Sequence, residues 1–241
     1  MAFKSWRGDV GIIKPTHRPG SLEEFIRLLP EGIGVIPLFL GVTRGTVEEF
    51  TEAIKAYEAK IAELAALEVD LIHPEGAPPF MIQGFEGERK LIESWEKKYG
   101  IPMVTSGQVQ VEALQALEVT KVVVSSYSSP DTNDVVSNYL TQAGFDVLEN
   151  ARLEVPFEQA GNLSHQQVYR HTKEAVLRHP DCDGILLFGS GWRSLDAIEL
   201  LEQDLELPVV HPVPARVWSI TRRLHVAEPV SGYGQLLEDM Y

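Results

Sequence analysis

The sequence has a single cysteine, few basic residues and no long apolar run, and each absence excludes a class of protein. Cys182 is the one cysteine among 241 residues, so no intrachain disulfide forms, as is typical of a reducing cytoplasm. Lys and Arg number 21 against 35 Asp and Glu, and this balance argues against a nucleic-acid or anionic-membrane partner. Neither a membrane span nor the apolar core of a signal peptide is present. We therefore expect a cytoplasmic protein.

The common catalytic fingerprints are also missing or incomplete. The sequence has no P-loop, and the glycines at 189 and 191 lack the third glycine of a dinucleotide-binding motif. Phe188 stands where the nucleophile-elbow pattern needs its first glycine. Nucleotide binding and ordinary serine-hydrolase chemistry are therefore not indicated.

What the sequence does contain is a strand, a glycine turn and a helix within residues 183–198. The apolar run from Ile185 to Phe188 has the length of a buried strand, and Gly189 begins the turn. Leu195 and Ile198 then open a pattern of helical period. Ligands of such units bind beyond the carboxyl end of the strand, against the N–H groups of the helix start.

The same unit occurs twice in the chain. Gly76 follows Asp70 by the same spacing as Gly189 follows Asp183, and a helix, a short strand and a further helix come after each. Strands that alternate with helices across short loops predict parallel sheets. The doubled plan therefore predicts an α/β fold with two pseudo-symmetric, Rossmann-like lobes and a ligand cleft between them.

The two lobes are expected to divide the chain near its middle. We predict a first lobe over residues 1–117 and a second over residues 118–213, with residues 214–241 packing back on the first lobe. Within the first lobe, Ser21 followed by Glu24 reads as a capping box, which predicts that Ser21 is the N-cap of a helix.

These residues carry a resemblance to a known family. The chain resembles the aspartate/glutamate racemase superfamily over most of its length, and is nearest to the arylmalonate decarboxylases and maleate isomerases. The resemblance is strongest in residues 101–117, in residues 122–148 with Tyr127, and in residues 183–198 followed by 207–218. It implies that two cysteines, one on each lobe's turn, move protons or add to a carbon next to a carboxylate. Arylmalonate decarboxylases keep only the second.

The resemblance breaks at the cysteines themselves. Aligned with the superfamily, the two cysteine positions fall on Gly76 and Gly189, so both thiols are absent. Cys182 precedes its strand, and about seven residues at roughly 3.3 Å each place it some 20 Å from the turn. We therefore expect the scaffold to be kept and the cysteine mechanism to be lost.

A carboxylate-binding site is still expected at the two turns. Backbone N–H groups at the helix starts suit carboxylate oxygens. The resemblance adds a substrate-binding tyrosine at Tyr127 and a carboxylate-binding loop around His17, with Arg18 at the position of an asparagine; its guanidinium can grip a carboxylate in a bidentate way. The expected substrate-binding set is His17, Arg18, Gly76, Ala77, Tyr127, Gly189 and Gly191.

Four residues at or beyond strand ends are candidates to replace the thiols. His73, His211 and Glu75 can act as acids or bases, with a buried glutamate tuned upward, and Ser190 can act as a nucleophile paired with His211. The alternative is a metal site, because His17, His73, Glu75 and His211 offer nitrogen and carboxylate ligands for zinc or another divalent ion.

Three functions therefore stand open. The leading interpretation is a small-carboxylate enzyme of this superfamily that works as a decarboxylase, isomerase or lyase by cysteine-independent acid/base chemistry, without a cofactor. The second is a metal-dependent hydrolase or lyase that uses the histidines. The third is a non-catalytic relative that binds a carboxylate. In each case the expected partner is a small carboxylate, and a homo-oligomer is compatible with the sequence.

Overall fold

The first half of the chain forms a parallel sheet. The computed structural model describes residues 5–239. Strands β1 (Gly8–Lys14), β2 (Ile33–Phe39) and β3 (Leu71–Pro74) pair in the order β2-β1-β3. Met103 forms an isolated parallel bridge with Ile72 and so continues the sheet by one short step.

Five helices lie in this half of the chain. They are α1 (Gly20–Leu28), α2 (Val47–Ala65), α3 (Pro78–Met81), α4 (Phe85–Tyr99) and α5 (Ser106–Ala116). The hydroxyl of Thr46 caps α2 by accepting from the Glu49 N–H group, and the buried residues of α2 recur at helical spacing. The helix therefore forms where the apolar period and the cap coincide.

The second half repeats the plan. Strands β4 (Lys121–Ser126), β5 (Asp146–Arg152), β6 (Gly184–Leu187) and β7 (Val209–Val210) form a parallel sheet in the order β5-β4-β6-β7. In each half the first strand pairs with both the second and the third, so the first three strands of each sheet follow the same order. The predicted α/β fold with two pseudo-symmetric parallel lobes is confirmed.

The C-terminal helices tie the halves together. The remaining elements are α6 (Pro130–Gln142), the 3₁₀ segment Phe157–Asn162, α7 (His165–Leu177), α8 (Leu195–Leu205), α9 (Pro212–Arg223) and α10 (Gln235–Asp239). Helix α9 packs against α1 and α5 of the first half, and α10 packs against α9. The boundaries at 117 and 213 stay predictions. In the part of the chain that the structure describes, no helix is both long and apolar enough to span a bilayer.

The start of α1 differs from the sequence prediction. Pro19 is the N-cap residue, and no side chain caps the helix. Ser21 lies in the first turn with its hydroxyl directed inward to Lys14 and Glu75. The predicted N-cap role of Ser21 is wrong because buried charged groups, rather than the helix's own N–H groups, take its hydrogen bonds.

Candidate active site

A cavity lies between the two lobes, where the carboxyl ends of both sets of strands meet. Its empty volume, open mouth included, is about 740 Å³. The loops after β1, β3, β4, β6 and β7 and the start of α5 supply most of the wall, as expected for a doubled α/β fold. The lining residues are Pro15, Thr16, Arg18, Ser21, Gly45, Phe50, Glu75, Gly76, Ala77, Pro78, Ser106, Gln110, Tyr127, Ser128, Thr132, Phe157, Phe188, Gly189, Ser190, Gly191 and Pro212.

Two glycine turns face this cavity, one from each lobe. Gly76 and Gly189 both have φ of +97°, a conformation that residues with a side chain rarely adopt. The Gly76 N–H donates to the Ser106 hydroxyl at 3.1 Å, and the Gly191 N–H donates to the Tyr127 hydroxyl at 2.8 Å. Side chains of the protein therefore occupy the N–H groups of Gly76 and Gly191, which were expected to be offered to a substrate.

Glu75 is the most heavily bonded residue of the cavity wall. Arg216 Nη1 lies 2.7 Å from its Oε2 atom, and Lys14 Nζ lies 3.2 and 3.3 Å from the two oxygens. Burial by itself would raise the pKa of Glu75, but Arg216 and Lys14 hold it well below its ordinary range. Glu75 is therefore ionised at neutral pH, and the expected upward tuning is wrong because two cations surround the carboxylate.

Ser190 links the lobes through Glu75. Its hydroxyl, on the turn of the second lobe, donates to Glu75 Oε1 of the first lobe at 3.2 Å. His211 instead caps α9, where its Nδ1 accepts from the Val213 N–H at 3.1 Å. The partner of Ser190 is therefore Glu75, and the predicted pairing with His211 is wrong.

Arg18 and Tyr127 lie on the aromatic side of the cavity. Arg18 Nη1 donates to the Phe157 carbonyl at 3.0 Å, and its guanidinium lies 4.2 Å from the centre of the Phe157 ring. Tyr127 packs between Phe157 and Trp192, with ring centres at 6.2 and 5.2 Å. A cation and a phenol hydroxyl thus stand beside the Gly189 turn. Their role in carboxylate binding stays a prediction.

Comparison with known proteins decides the family. The arylmalonate decarboxylase family model matches residues 10–237, nearly the whole chain. The chain belongs to the arylmalonate decarboxylase family. It is 24% identical over 232 residues to the arylmalonate decarboxylase of Bordetella bronchiseptica, covering 95% of this chain and 96% of the relative.

Solved structures of maleate isomerases share the fold. The maleate isomerase Iso from Pseudomonas putida S16 matches with a TM-score of 0.90 at 21% identity, covering 97% of this chain and 99% of that one. A Cys→Ser variant of the Nocardia farcinica maleate cis-trans isomerase, which holds a covalently bound succinylcysteine intermediate, matches with a TM-score of 0.86 at 19% identity, covering 95% and 98%. In that relative, therefore, a cysteine becomes covalently attached to the ligand.

The single cysteine of this chain lies away from the cavity lining. Within residues 5–239, the cavity wall contains no cysteine. Cys182 is buried ahead of β6, at the opposite end of the strand from Gly189, and its thiol donates to the Gly184 carbonyl at 3.1 Å. Burial raises the pKa of Cys182, so the protonated thiol is the stable form.

The three predicted histidines lie outside the cavity lining. His17 is exposed and stacks near Phe39, with ring centres 5.6 Å apart. His73 and His211 are fully buried, and burial together with Arg216 lowers the pKa of each to about 3. His73 nevertheless reaches the site indirectly, because its Nε2 lies 3.3 Å from the hydroxyl of Ser106, which does line the cavity.

The predicted metal site does not assemble. Among the described residues, no group of three or more His, Cys, Asp or Glu side chains is placed to hold a metal ion. His17 lies at the surface, and the carboxylate of Glu75 is taken up by Lys14 and Arg216. The prediction that His17, His73, Glu75 and His211 together bind a metal ion is therefore wrong.

Sequence reasoning missed Lys14, Ser21, Ser106 and Arg216. Lys14 is the last residue of an apolar strand, where a long charged side chain normally extends to water. Here it is 1% exposed, because Glu75 and Ser21 accept its hydrogen bonds inside the protein. The sequence signal that could have identified Lys14 is its position directly before Pro15, the first residue of the predicted carboxylate-binding loop.

Proposed function

We propose that this chain is an enzyme that acts on a small carboxylate by decarboxylation, isomerisation or lyase-type proton transfer without an active-site cysteine. The observation that carries the proposal is the composition of the cavity wall. A family fold places two glycine turns around a cavity lined by an arginine, a tyrosine and serine hydroxyls, and no thiol is among the described lining residues. Relatives of this fold include a decarboxylase and maleate isomerases.

The charges beside the cavity favour an anionic substrate. Arg18 lines the cavity, and the buried group of Lys14, Arg216 and Glu75 carries two positive charges against one negative. A net positive charge in a low-dielectric wall attracts a carboxylate and stabilises negative charge that develops on an adjacent carbon. Arg18 would hold the substrate carboxylate, and Gly189 and Ser190 would face the developing charge.

Proton movement is assigned to hydroxyls in contact with buried titratable groups. Ser190 is bonded to Glu75, and Ser106 lies against His73. Glu75 orients Ser190 as a fixed anion, and neutral His73 can accept a hydrogen bond from Ser106. His211 would act only by holding the start of α9. The cytoplasmic location and a homo-oligomeric state stay predictions.

The test is turnover of wild-type protein and of Cys182→Ala on a panel of malonates and maleate, followed by product analysis. We expect activity on at least one carboxylate, equal activity for Cys182→Ala, and no inhibition by iodoacetamide, because the only thiol is remote from the cavity. Loss of most activity on alkylation would contradict cysteine-independent chemistry.

Two further measurements separate the alternatives. The first is elemental analysis of protein purified without chelator. A stoichiometric metal whose removal abolishes turnover would favour the metal-dependent enzyme. Binding of a carboxylate by calorimetry without turnover on any member of the panel would favour the non-catalytic relative.

A further inference from the structure

Lys14 is a buried ammonium that contributes only its charge to the proposed reaction. It ends β1 and is 1% exposed, and its Nζ donates to the Ser21 hydroxyl and to both oxygens of Glu75. Burying a charged amine is costly unless it is paired, so this position is held by specific partners.

The charges around Lys14 come from three elements. Glu75 follows β3, Arg216 lies on α9, and Arg18 lies in the loop after β1. Burial lowers the pKa of Lys14, Arg216 and Arg18 lower it further, and Glu75 opposes the shift. Lys14 therefore releases a proton more readily than an exposed lysine does.

Ser21 connects Lys14 to the cavity. The Ser21 hydroxyl accepts from Lys14 Nζ and donates to Glu75 Oε1 at 2.9 Å. Ser21 lines the cavity, whereas Lys14 does not. A proton that leaves Lys14 can therefore reach a substrate through a single hydroxyl.

We propose that Ser21 is the catalytic hydroxyl that protonates the carbanion formed in the cavity, and that Lys14 supplies the proton through it. This inference rests on the proposed function. When a carboxylate group leaves as CO₂, or a proton is removed, the electron pair remains on carbon. The Ser21 hydroxyl turns from Glu75 towards the carbanion, and its O–H bond breaks as the new C–H bond forms. An N–H bond of Lys14 then breaks to restore the Ser21 hydroxyl. The resulting neutral amine takes a proton from water after product release.

The neighbouring groups are less suited to this step. Glu75 is ionised and has no proton to give, because its pKa lies well below the ordinary range. His73 and His211 have pKa values of about 3 and are uncharged near neutral pH. Of the titratable side chains described beside the cavity hydroxyls, Lys14 combines a positive charge with a lowered pKa. Proton transfer from it also removes two opposite charges from a dry site.

The first experiment uses Ser21→Ala and Lys14→Arg, with Lys121→Arg as the matched control at the start of β4. Arg keeps the positive charge beside Glu75 but does not release a proton near neutral pH. We expect kcat to fall about 100-fold in Ser21→Ala and Lys14→Arg, with KM changed less than about threefold, because general acid catalysis typically contributes that much. The alkaline limb of the kcat profile should disappear in Lys14→Arg, and Lys121→Arg should match wild type.

The second experiment separates proton supply from packing. In Lys14→Ala, added ethylamine should restore turnover, and its less basic fluorinated analogue of similar size should restore it to a different extent that follows amine basicity. Equal rescue by both amines would assign Lys14 a structural role and overturn the inference.

The outcomes also separate this inference from the proposed function. Wild-type turnover with unchanged kcat in folded Ser21→Ala overturns the relay and leaves the proposed function standing. If Lys14→Arg does not fold, Ser21→Ala still decides, because it removes one oxygen atom and keeps the charge cluster. Absence of wild-type turnover on every carboxylate overturns both.

Discussion

Gly76 and Gly189 show at the scale of single residues why the cavity walls carry glycine. Both have φ of +97°, and a Cβ at Gly189 would lie 2.7 Å from Cε1 of the Tyr127 ring. A Cβ at Gly76 would lie 2.9 Å from the Pro15 ring. Both backbone conformation and space therefore oppose a side chain at the two positions that the resemblance assigns to cysteine.

We predict that Gly189→Cys lowers both stability and native turnover. Gly144→Cys is the matched control, since Gly144 has φ of +100°, a Cβ there would meet no atom within 4 Å, and the residue lies outside the cavity lining. The control should lose about 1–3 kcal/mol from backbone strain alone. Gly189→Cys should lose more, because Tyr127 must move and release the Gly191 N–H. Urea denaturation and turnover measure both effects, and equal stability of the two variants would contradict the clash.

Part of the cavity wall was predictable from the sequence, because several of its residues lie in loops that follow predicted strands. Arg18, Glu75, Tyr127 and Ser190 all line the cavity, because the ends of parallel strands meet at one edge. Lys14 was not predictable in the same way. Its partner Glu75 lies 61 residues away, and only the folded chain shows that this carboxylate keeps a lysine inside.

At the scale of elements, local sequence patterns did not predict the start of α1 or the 3₁₀ segment Phe157–Asn162. A capping box at Ser21 and Glu24 is a local signal, and the buried charge cluster outweighs it by turning the Ser21 hydroxyl inward. No role was predicted for the segment Phe157–Asn162. Its Phe157 contacts Arg18, Tyr127 and Phe50, so it forms the aromatic wall that joins the two lobes.

We predict that Phe157→Ala weakens substrate binding more than it weakens the fold. Its ring lies 4.2 Å from the Arg18 guanidinium, and its removal frees Arg18 to leave the cavity wall. KM should rise several-fold, with kcat reduced less. Glu158→Ala, at an exposed position of the same segment, should match wild type in both constants. An unchanged KM for Phe157→Ala would show that this wall does not position the substrate.

At the scale of the whole molecule, the lobes are joined by polar contacts that are out of reach of water. Glu88 of α4 is fully buried, where it accepts hydrogen bonds from Tyr139 of α6 and from Thr105, the latter at 2.5 Å. Burial raises the pKa of Glu88 to about 7, although both hydrogen bonds oppose the shift. The doubled strand–turn–helix pattern predicted the lobes but not this contact, because its partners belong to different halves.

The raised pKa makes the stability of the protein depend on pH. Glu88 contributes most below about pH 4.5, where it is protonated in both folded and unfolded chains, and its contribution is lost as pH rises through about 7. The stability difference between Glu88→Gln and wild type should therefore shift by about 3 kcal/mol in favour of the variant between pH 4.5 and pH 8. The lowered pKa values of His73 and His211 have the opposite effect, because they decrease the stability of the protein as pH falls from about 6.5 towards 3. Wild type and Glu88→Gln both contain these histidines, so the stability difference between the two proteins is not affected.

Denaturant unfolding at several pH values measures this difference. Glu86→Gln is the control, because Glu86 lies on the same helix but is exposed. A difference between Glu88→Gln and wild type that stays constant across the range would contradict a neutral buried carboxyl at this position.

Because Trp192 packs against Tyr127 in the cavity wall, the fluorescence of Trp192 should respond to ligand binding. Trp192 is 1% exposed, and its ring centre lies 5.2 Å from that of Tyr127, whose hydroxyl is bonded to the Gly191 turn. Any ligand that displaces the tyrosine also changes the surroundings of the indole. Intrinsic fluorescence should therefore follow occupancy of the site in real time without a label. The Trp192→Phe variant keeps the other three tryptophans and so gives the emission that does not report on the site.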